Sequence, residues 1–204
     1  LKTELNVEES DMAKWIFEAG HSAAGFAVRH MMVSHMRGLF KNVHGSIVFD
    51  LDAPTDTAAV EAAIDAAAIW TGDDARDAHL RGPDFLDAEN HPVIAFSSRE
   101  VQRVGETDFR VSGDLSIRGV TRPVELKARY LGRWQCPYWE GGKDLGPVSR
   151  IGFTATATIN RHDFGVNWNA PMEKGGVVVG AEVAITLDVE AILESDMKRV
   201  AASA

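Results

Sequence analysis

The sequence predicts a mainly β protein, an antiparallel barrel of about eight strands that is closed or nearly closed and carries a helical insertion. Three observations predict this fold class. From Trp15 onward, most of the chain alternates apolar and polar residues with the period of two that is typical of half-buried strands. Glycines separate the alternating segments, as turns or bulges in a β meander do. About eight amphipathic strands would also leave exposed edges unless the sheet closed on itself.

The first strands are predicted before residue 50. One face of an early strand carries Phe26, Val28 and His30, and one face of a later strand carries Ile47 and Phe49. Glycines between residues 20 and 45 mark the turns or bulges between these segments. We therefore expect at least two amphipathic strands in this part of the chain.

The period then changes, and the pattern predicts the helical insertion. Apolar residues recur with helical spacing after a threonine that can serve as an N-cap, and a glycine ends the run. A second short helix and a further turn that begins at a proline are predicted next. The predicted helical segments are Thr57–Gly72, with the stripe Val60, Ile64, Ala67 and Ala68, then Ala75–Leu80, and then Pro83–Leu86.

The strand pattern resumes after His91–Pro92 and continues almost to the end of the chain. The segment Gly132–Pro147 is rich in Gly, Pro and Trp, and we interpret it as a long loop. The stretch Ala191–Ala204 is predicted to be a short terminal helix or a frayed tail. The predicted strands of this half lie within residues 93–98, 109–118, 124–130, 153–159 and 183–190.

The composition is typical of one folded domain. The 204 residues are 45% hydrophobic and 25% charged, which provides enough apolar surface to offset the entropy of ordering. The formal net charge of -9 repels phosphate backbones and anionic lipid headgroups, so nucleic-acid binding is not expected. The longest apolar stretches are far too short to span a bilayer, and we do not expect an integral membrane protein.

The cellular compartment is predicted from weak signals. Cys136 is the only cysteine, so no internal disulfide can form, and this is compatible with a reducing cytoplasm. The first ten residues show no basic-then-apolar signal pattern, but the sequence also lacks an initiator Met. We expect a cytoplasmic protein, with a periplasmic or secreted location as the alternative if a signal peptide was removed.

Motifs for catalysis are largely missing. His21, His30, His35 and His44 fall within 24 residues and suggest a metal, but their spacings of nine, five and nine place successive histidines on opposite faces of strands. No Gly-x-Ser-x-Gly elbow or phosphate-binding loop is present, and no histidine lies near Cys136 in sequence. We expect neither a metal site nor another cofactor, and we predict that the protein is not an enzyme.

Several runs resemble, in order, the YceI family of polyisoprenoid-binding proteins. The resemblance covers roughly Lys14 to Glu190, and Glu18 stands where the family more often has Asp. The long segment Gly132–Pro147 departs from the family pattern. The runs that carry the resemblance are W-I-F-E-A-G-H-S at Trp15–Ser22, Phe26-x-x-x-His30 with R-G-L-F at Arg37–Phe40, H-L-R-G-P-D-F-L-D-A at His79–Ala88 followed by His91–Pro92 and Phe96–Ser98, G-D-L-S-I-R-G-V-T-R-P-V at Gly113–Val124, and I-N-R-H-D-F-G-V-N-W at Ile159–Trp168.

The resemblance implies an extended lipocalin-like barrel that binds, stores or transports a long apolar amphiphile. The implied ligand is a polyisoprenoid, such as a quinone or a polyprenyl phosphate, or a fatty acid or amide. The family's members are commonly periplasmic with a cleaved signal. On this interpretation, residues 1–13 are an amino-terminal extension, residues 14–190 form the barrel, and residues 191–204 form a carboxyl-terminal tail.

The alternation of faces predicts which residues line the barrel interior, although several of them could instead pack under the predicted helix. Four arginines in the family-like runs could bind an anionic headgroup, or could cap turns through Asp84, Asp114 or Asp163. These arginines are Arg37, Arg118, Arg122 and Arg161. The predicted ligand-binding residues are Phe26, Val28, Ile47, Phe49, Phe96, Leu115, Ile117, Phe153, Ile159, Trp168, Val183, Ile185 and Leu187.

Two other functions remain open from the sequence. One is an enzyme that uses the histidines and a metal to act on a lipid or a peroxide. The other is a stress-related interaction module whose barrel is filled with side chains. A two-fold dimer is the expected oligomeric state for a small protein of bacterial type.

Overall fold

The computed structural model describes residues 13–50, 52, 55–173 and 175–202, and it is mainly β, as predicted. The predicted extension 1–13 lies outside the described residues, except for Ala13. The helices are α1, Asp74–Arg81, and α2, Glu194–Ala201. The strands are β1, Lys14–Phe17; β2, Ala23–His30; β3, Ser34–Phe40; β4, His44–Val48; β5, Ala59–Asp65; β6, Ile69–Trp70; β7, Val93–Arg103; β8, Asp108–Ile117; β9, Val120–Glu140; β10, Lys143–Asn160; and β11, Val179–Leu193.

The strands form one antiparallel sheet that closes into a barrel of eight, which confirms the predicted fold class. The closed ring runs β1-β4-β5-β7-β8-β9-β10-β11 and returns to β1. Strand β11 pairs with β1 along one half of its length and with β2 along the other half. The sheet then continues from β2 through β3 to β6. Closure pairs the backbone groups that an open sheet would expose at its edges.

The antiparallel pairing gives the barrel two distinct ends. At one end, His30 of β2 pairs with Val179 of β11, and the tight turn after Ile117 joins β8 to β9. The connection from β6 to β7, which contains α1, lies at this same end, and we call it the α1 end. At the other end, which we call the hairpin end, lie the β7–β8 turn, the β9–β10 turn and α2.

The insertion predicted as a helix from Thr57 to Gly72 is wrong, because residues 59–65 form strand β5. Val60 and Ile64 satisfy both a helical spacing of four and a strand period of two, and the intervening alanines do not distinguish between them. Pairing with β4 and β7 decides in favour of a strand. Val60 and Ile64 are half-buried, whereas Glu61 faces solvent. Thr57 ends a short 3₁₀ turn instead of capping a helix, and Pro54 lies outside the described residues.

The loop predicted over Gly132–Pro147 is also wrong. Strands β9 and β10 extend through it and turn at Gly141 and Gly142, whose φ angles of 57° and 81° suit glycine. The residues therefore lengthen the sheet beyond the ring. Leu131 is extra on its side of the β9–β10 pairing, next to Gly132, and this β-bulge interrupts the alternation that would have revealed the strands.

The remaining local predictions fare better. The helix predicted over Ala75–Leu80 is confirmed as α1, and Pro83–Leu86 forms a turn. Strand β11 runs on to Leu193, and α2 follows, so the terminal segment is a helix through Ala201; residues 203–204 lie outside the described residues. Helix α2 packs through Val200 against Val148 and Ile192 of the barrel.

Candidate ligand-binding cavity

The barrel encloses a cavity of about 430 Å³ whose wall is almost entirely apolar. Its volume lies in the range of about 300–1,000 Å³ that is usual for ligand sites. Val183, Ile185 and Leu187 of β11 point into the barrel, and the residues between them face solvent. The three inward side chains are nevertheless only half-buried. Side chains in a filled core would be fully buried by their neighbours. The partial exposure of these inward residues therefore shows that the middle of the barrel is not filled by side chains.

All thirteen residues predicted to bind ligand line this cavity. Phe26 and Val28 contribute from β2, Leu115 and Ile117 from β8, and Trp168 from the segment after β10. The alternation of faces was thus a sufficient guide to the wall. Contact of these residues with a ligand stays a prediction. Sequence reasoning missed Val60, Ala62 and Ile64, because it treated their strand as a helix; the signal that could have identified them is the alternation of these residues with the polar Glu61 and Asp65.

The cavity is closed at the hairpin end by a cluster of aromatic residues. The ring of Phe49 meets Phe109 and Phe153 edge-on, at centroid distances of 5.5 Å and 5.3 Å. Trp15 is buried beside them, and its Nε1 donates a hydrogen bond to the backbone carbonyl of Phe49 at 2.9 Å. Phe17 is also buried in this cluster. The hairpin end of the barrel is therefore a conventional core.

The polar side chains of the wall gather mostly at the α1 end. Arg76 donates from Nε to Thr71 Oγ1 at 2.7 Å and from Nη2 to the Thr71 carbonyl at 3.0 Å. Thr71 in turn donates from its hydroxyl and its backbone N–H to the buried Asp77 carboxylate, at 2.5 Å and 2.9 Å. Asp73 caps α1 by accepting from the Arg76 N–H at 2.8 Å. This network holds a guanidinium at the cavity wall, and the sequence analysis did not identify it.

An aromatic cluster lies next to Arg76 and includes residues of two family-like runs. His79 meets Phe85 and Trp168 edge-on, at 5.0 Å and 5.1 Å between ring centroids. His79 Nε2 lies 2.9 Å from Asp84 Oδ2, which fixes the orientation of the imidazole. All three rings line the cavity. The run His79–Ala88 thus supplies part of the wall and the carboxylate that orients it.

Arg161, one of the four arginines predicted to bind a headgroup or cap a turn, instead holds a loop. It is buried, and its guanidinium donates to the backbone carbonyls of Val166, Trp168, Val179 and Gly180 at 2.7–3.1 Å. Burial lowers the pKa of Arg161. Arg161 lines the cavity, but its guanidinium is hydrogen-bonded to these carbonyls and is therefore not directed at a ligand headgroup.

The other three arginines do not gather at the cavity wall. Arg118 donates to the Phe85 carbonyl at 2.8 Å, Arg122 donates to the Thr121 carbonyl at 3.1 Å, and Arg37 is exposed on β3. The predicted alternative, in which these arginines cap turns through carboxylates, is not seen either, because Asp84 pairs with His79 and Asp114 pairs with Arg99. A set of four headgroup-binding arginines is therefore not assembled.

The four histidines do not converge on one site, as their spacing predicted. His30 pairs with Ser34 and His35 with Arg29 across the β2–β3 hairpin, and His44 lies on β4. Within the described part of the chain, one group brings three possible metal ligands together, namely Glu18, His21 and Glu190. Glu190 lies on the outward face of β11, so this group is outside the barrel.

The outer group is organised by Arg150 as an ion-pair network. Arg150 Nε lies 3.0 Å from Glu18 Oε2 and 2.7 Å from Glu190 Oε1. Burial opposes ionisation of Glu18, but hydrogen bonds with Arg150, His21 and Glu190 outweigh it and lower the pKa of Glu18. Burial, together with the neighbouring Glu18, raises the pKa of Glu190. The guanidinium already supplies the positive charge that a cation would bring.

Neither helix of the described residues has the length and the hydropathy that crossing a membrane would require. The wall and the polar network together form an apolar cavity with one polar end. The arrangement can hold an apolar chain and place a polar group near α1.

Comparison with known proteins identifies similar chains of bacterial origin. A family model described as a YceI-like domain matches residues 15–191. A UPF0312 protein of Pseudomonas putida strain W619 is 34% identical over 149 residues, which is 73% of each chain. A UPF0312 protein of Staphylococcus aureus strain RF122 is 31% identical over 179 residues, which is 88% of this chain and 97% of the relative.

Solved structures share the fold at lower sequence identity. BcnA of Burkholderia cenocepacia superposes with a TM-score of 0.69 at 22% identity, over 85% of this chain and 98% of its own. A polyisoprenoid binding domain of Saccharophagus degradans, implicated in plant cell wall breakdown, superposes with a TM-score of 0.58 at 16% identity, over 89% of this chain and 99% of its own. At these identities the likeness is one of fold.

Proposed function

The chain belongs to the YceI-like family, and from this premise we propose that it binds a long-chain apolar amphiphile inside the barrel. The observation that carries the proposal is the apolar cavity of about 430 Å³ in the middle of the barrel. Its wall offers no group that a polar substrate would need along most of its length. The family is one of binding proteins, and the prediction that the chain is not an enzyme agrees with that membership.

The free energy available from the wall is large enough for tight binding. Each buried CH₂ contributes about 0.8 kcal/mol, so a five-carbon isoprene unit contributes roughly 4 kcal/mol before losses. Ordering a flexible chain subtracts a substantial part of this gain. A few isoprene units would still approach the roughly 12 kcal/mol that corresponds to nanomolar affinity. A carrier of this kind therefore needs no reactive group.

The polar end of the cavity indicates how the ligand lies. An apolar tail fits along the inward residues of β8 and β11, towards the aromatic cluster at Phe49. A polar headgroup would then lie at the α1 end, beside Arg76 and His79. A phosphate or a quinone oxygen can accept a hydrogen bond there, and the bidentate geometry of a guanidinium suits phosphate.

Within this class we favour a polyisoprenoid, such as a quinone or a polyprenyl phosphate, over a fatty acid or amide, and we propose storage or transport as its use. The support is the polyisoprenoid binding domain with the same fold. The barrel is also lined by branched and aromatic side chains, which pack well against the methyl branches of an isoprenoid chain.

The alternative of an interaction module with a filled core conflicts with the cavity. The alternative of a metal enzyme that acts on the bound lipid has its candidate ligands on the outer face of the barrel. Glu18 and Glu190 are separated from the cavity by the sheet itself. No observation on the described residues favours either alternative over the binding proposal.

The proposal is tested by extraction and by titration. Organic extracts of the purified protein, analysed by mass spectrometry, should contain an amphiphile in near-stoichiometric amount. Added ubiquinone should quench tryptophan fluorescence, because Trp168 lines the cavity, and added polyprenyl phosphate should compete with it and reverse the quenching. Ala157→Phe places a ring inside the barrel and should weaken binding at least tenfold, whereas Thr156→Phe on the outer face of the same strand should leave it unchanged. Lipid-free extracts together with an unresponsive wild-type titration would rule the proposal out.

A further inference from the structure

The tip of the β2–β3 hairpin presents consecutive apolar side chains to solvent. Met31 is 47% exposed, Met32 is 41% exposed and Val33 is 88% exposed. Single exposed apolar residues are common on protein surfaces, but a run of them at a projecting turn is not. The tip therefore presents a continuous apolar surface to solvent.

The backbone of this tip is one that methionine does not favour. Met31 and Met32 have φ angles of +47° and +64°, and the Val33 N–H donates to the His30 carbonyl at 3.2 Å. A β-turn whose two central residues both have positive φ angles normally carries Asn-Gly or a similar pair. Met31 and Met32 therefore occupy backbone conformations that Asn and Gly would adopt at lower cost. Such outliers cluster at sites that bind or switch.

The tip is continuous with the mouth of the cavity. The Met31 N–H donates to the Val178 carbonyl at 2.8 Å, and Val178 lines the cavity together with His30 and Val28. Val177, beside Val178, is 38% exposed. We call Met31, Met32, Val33 and Val177 the apolar rim. The apolar rim therefore lies at the α1 end, where a ligand can pass in or out.

The hairpin beneath the rim carries the reverse of the protein's overall charge. The whole chain has a net charge of -9, yet the hairpin from Ala23 to Phe40 contains no Asp or Glu, while it contains Arg29, Arg37 and two histidines. Arg29 donates from Nε and Nη2 to the Met32 carbonyl, at 3.2 Å and 2.8 Å, which holds its positive charge directly under the tip. Arg37 is exposed on β3.

From these observations we infer that the apolar rim docks on the surface of an anionic phospholipid bilayer. The apolar side chains enter the boundary between headgroups and acyl chains, and the basic hairpin contacts the lipid phosphates. Because the hairpin itself contains no acidic residue between Ala23 and Phe40, its tip can approach lipid phosphates without the repulsion that the acidic remainder of the chain would meet.

Docking in this orientation would let an apolar ligand pass between bilayer and barrel without crossing water. That consequence rests on the proposed function, whereas the docking itself does not. A soluble phosphate would bind the basic residues of the hairpin but would have no contact with the apolar rim. A bilayer would bind both, so the effect of substitutions in the apolar rim separates the two ligands.

The test is flotation of the full chain with vesicles. Vesicles of phosphatidylcholine with about 30% phosphatidylglycerol should carry the protein upwards, and vesicles of pure phosphatidylcholine should bind it at least fivefold less. The double variant Met31→Asn, Met32→Gly keeps the turn and gives it residues that the backbone prefers. We expect it to fold at least as stably and to lose at least tenfold in vesicle binding. Val104→Thr removes a 55%-exposed apolar side chain at the hairpin end and should float as the wild type does.

Ligand binding is measured separately, with ligand added from a dilute organic solvent. The double variant should retain it, because neither Met31 nor Met32 lines the cavity. Wild-type protein that stays with the pellet, or a double variant that floats equally well, would overturn the docking proposal while leaving the ligand proposal intact. Equal binding to both kinds of vesicle, or a dimer in light scattering that the double variant dissociates, would overturn it as well.

Discussion

At the scale of single residues, buried charge in this protein organises the backbone more than it binds ligand. Arg161 illustrates this, because its partners are backbone carbonyls of the segment that follows β10 and of the start of β11. Trp168 lies in that segment and lines the cavity. The guanidinium therefore acts on the cavity through the shape of a loop. Arg76 is held by a threonine at the wall itself, and the two arginines have different roles.

Replacing Arg161 should destabilise the fold strongly. Arg161→Met keeps much of the side-chain length but removes the hydrogen bonds from the guanidinium to four backbone carbonyls, and we expect a loss of about 3 kcal/mol in the free energy of unfolding. Urea titration followed by circular dichroism measures the change. Arg122→Met, at an exposed arginine, serves as the control and should change the value by less than about 0.5 kcal/mol. An Arg161→Met protein as stable as the control would contradict this role.

The outer carboxylates should respond to pH in opposite ways. The pKa of Glu18 is lowered, so its pairing with Arg150 stabilises the fold at neutral pH and is lost as the pH falls below the ordinary value of 4.5. Glu18→Gln should therefore cost about 1–2 kcal/mol at pH 7, and the cost should shrink in acid. The pKa of Glu190 is raised, so its ionisation removes stability as the pH rises, and Glu190→Gln should be neutral or stabilising at pH 7.

Urea unfolding of both variants at pH 7 and at pH 4 measures these differences. Equal losses for Glu18→Gln and Glu190→Gln at pH 7 would show that the two carboxylates are not distinguished in the way the ion-pair geometry indicates. Thr156→Gln, at an exposed position on the outer face of β10, controls for the substitution itself.

At the scale of elements, close packing of neighbouring strands depends on particular glycines. Gly45 of β4 lies against β5, and a Cβ atom at this position would come within 2.1 Å of the Glu61 carbonyl oxygen. The same atom would lie 2.9 Å from the ring of Phe17. The obstacle is backbone of a paired strand, which cannot move without loosening the ladder. A glycine in this strand therefore marks a close approach and not a turn.

Gly45→Ala should consequently weaken the pairing of β4 with β5. We expect a loss of about 2 kcal/mol or more in the free energy of unfolding, since overpacking against backbone is seldom relieved. Gly20→Ala is the matched control, because no atom lies within 4 Å of a Cβ at that position. Thermal melts of both variants give the comparison, and equal melting temperatures would show that β4 can shift to accommodate the methyl group.

At the scale of the whole molecule, the alternation of faces predicted the closed barrel and its wall. It succeeded where one face is mostly polar, as at residues 153–160 of β10 and 182–190 of β11, because a period of two is then unambiguous. It misassigned β5, where alanine occupies positions on both faces and carries no signal. It also missed the β9–β10 extension, since a bulge at Gly132 shifts the register and the alternation is interrupted there.

The polar end of the cavity was the part of the site that the sequence did not reveal. Arg76 and His79 share one face of α1, but Thr71 joins them only through the connection between β6 and β7, and no strand or helix period relates Thr71 to them. The arginines in family-like runs drew attention because of their motifs, yet Arg118 and Arg161 hold backbone carbonyls. Loop packing determines which arginine side chain lines the cavity, and the alternation of apolar and polar residues along the sequence does not predict loop packing.

The proposed ligand would also contribute to the stability of the whole barrel. A ligand that binds only the folded state raises the free energy of unfolding by RT ln(1 + [L]/Kd), or about 2.7 kcal/mol at a hundred times Kd. For a chain of this length the melting temperature should rise by about 5–10 °C when a quinone or polyprenyl phosphate is added to delipidated protein. Differential scanning fluorimetry at several ligand concentrations measures the rise. Ala157→Phe should reduce the rise to about half or less and Thr156→Phe should retain it, because only the first side chain enters the barrel. An equal rise in both variants would place the ligand on the outer surface, where Leu131 and Trp134 are exposed, and would separate the stability of the barrel from its cavity.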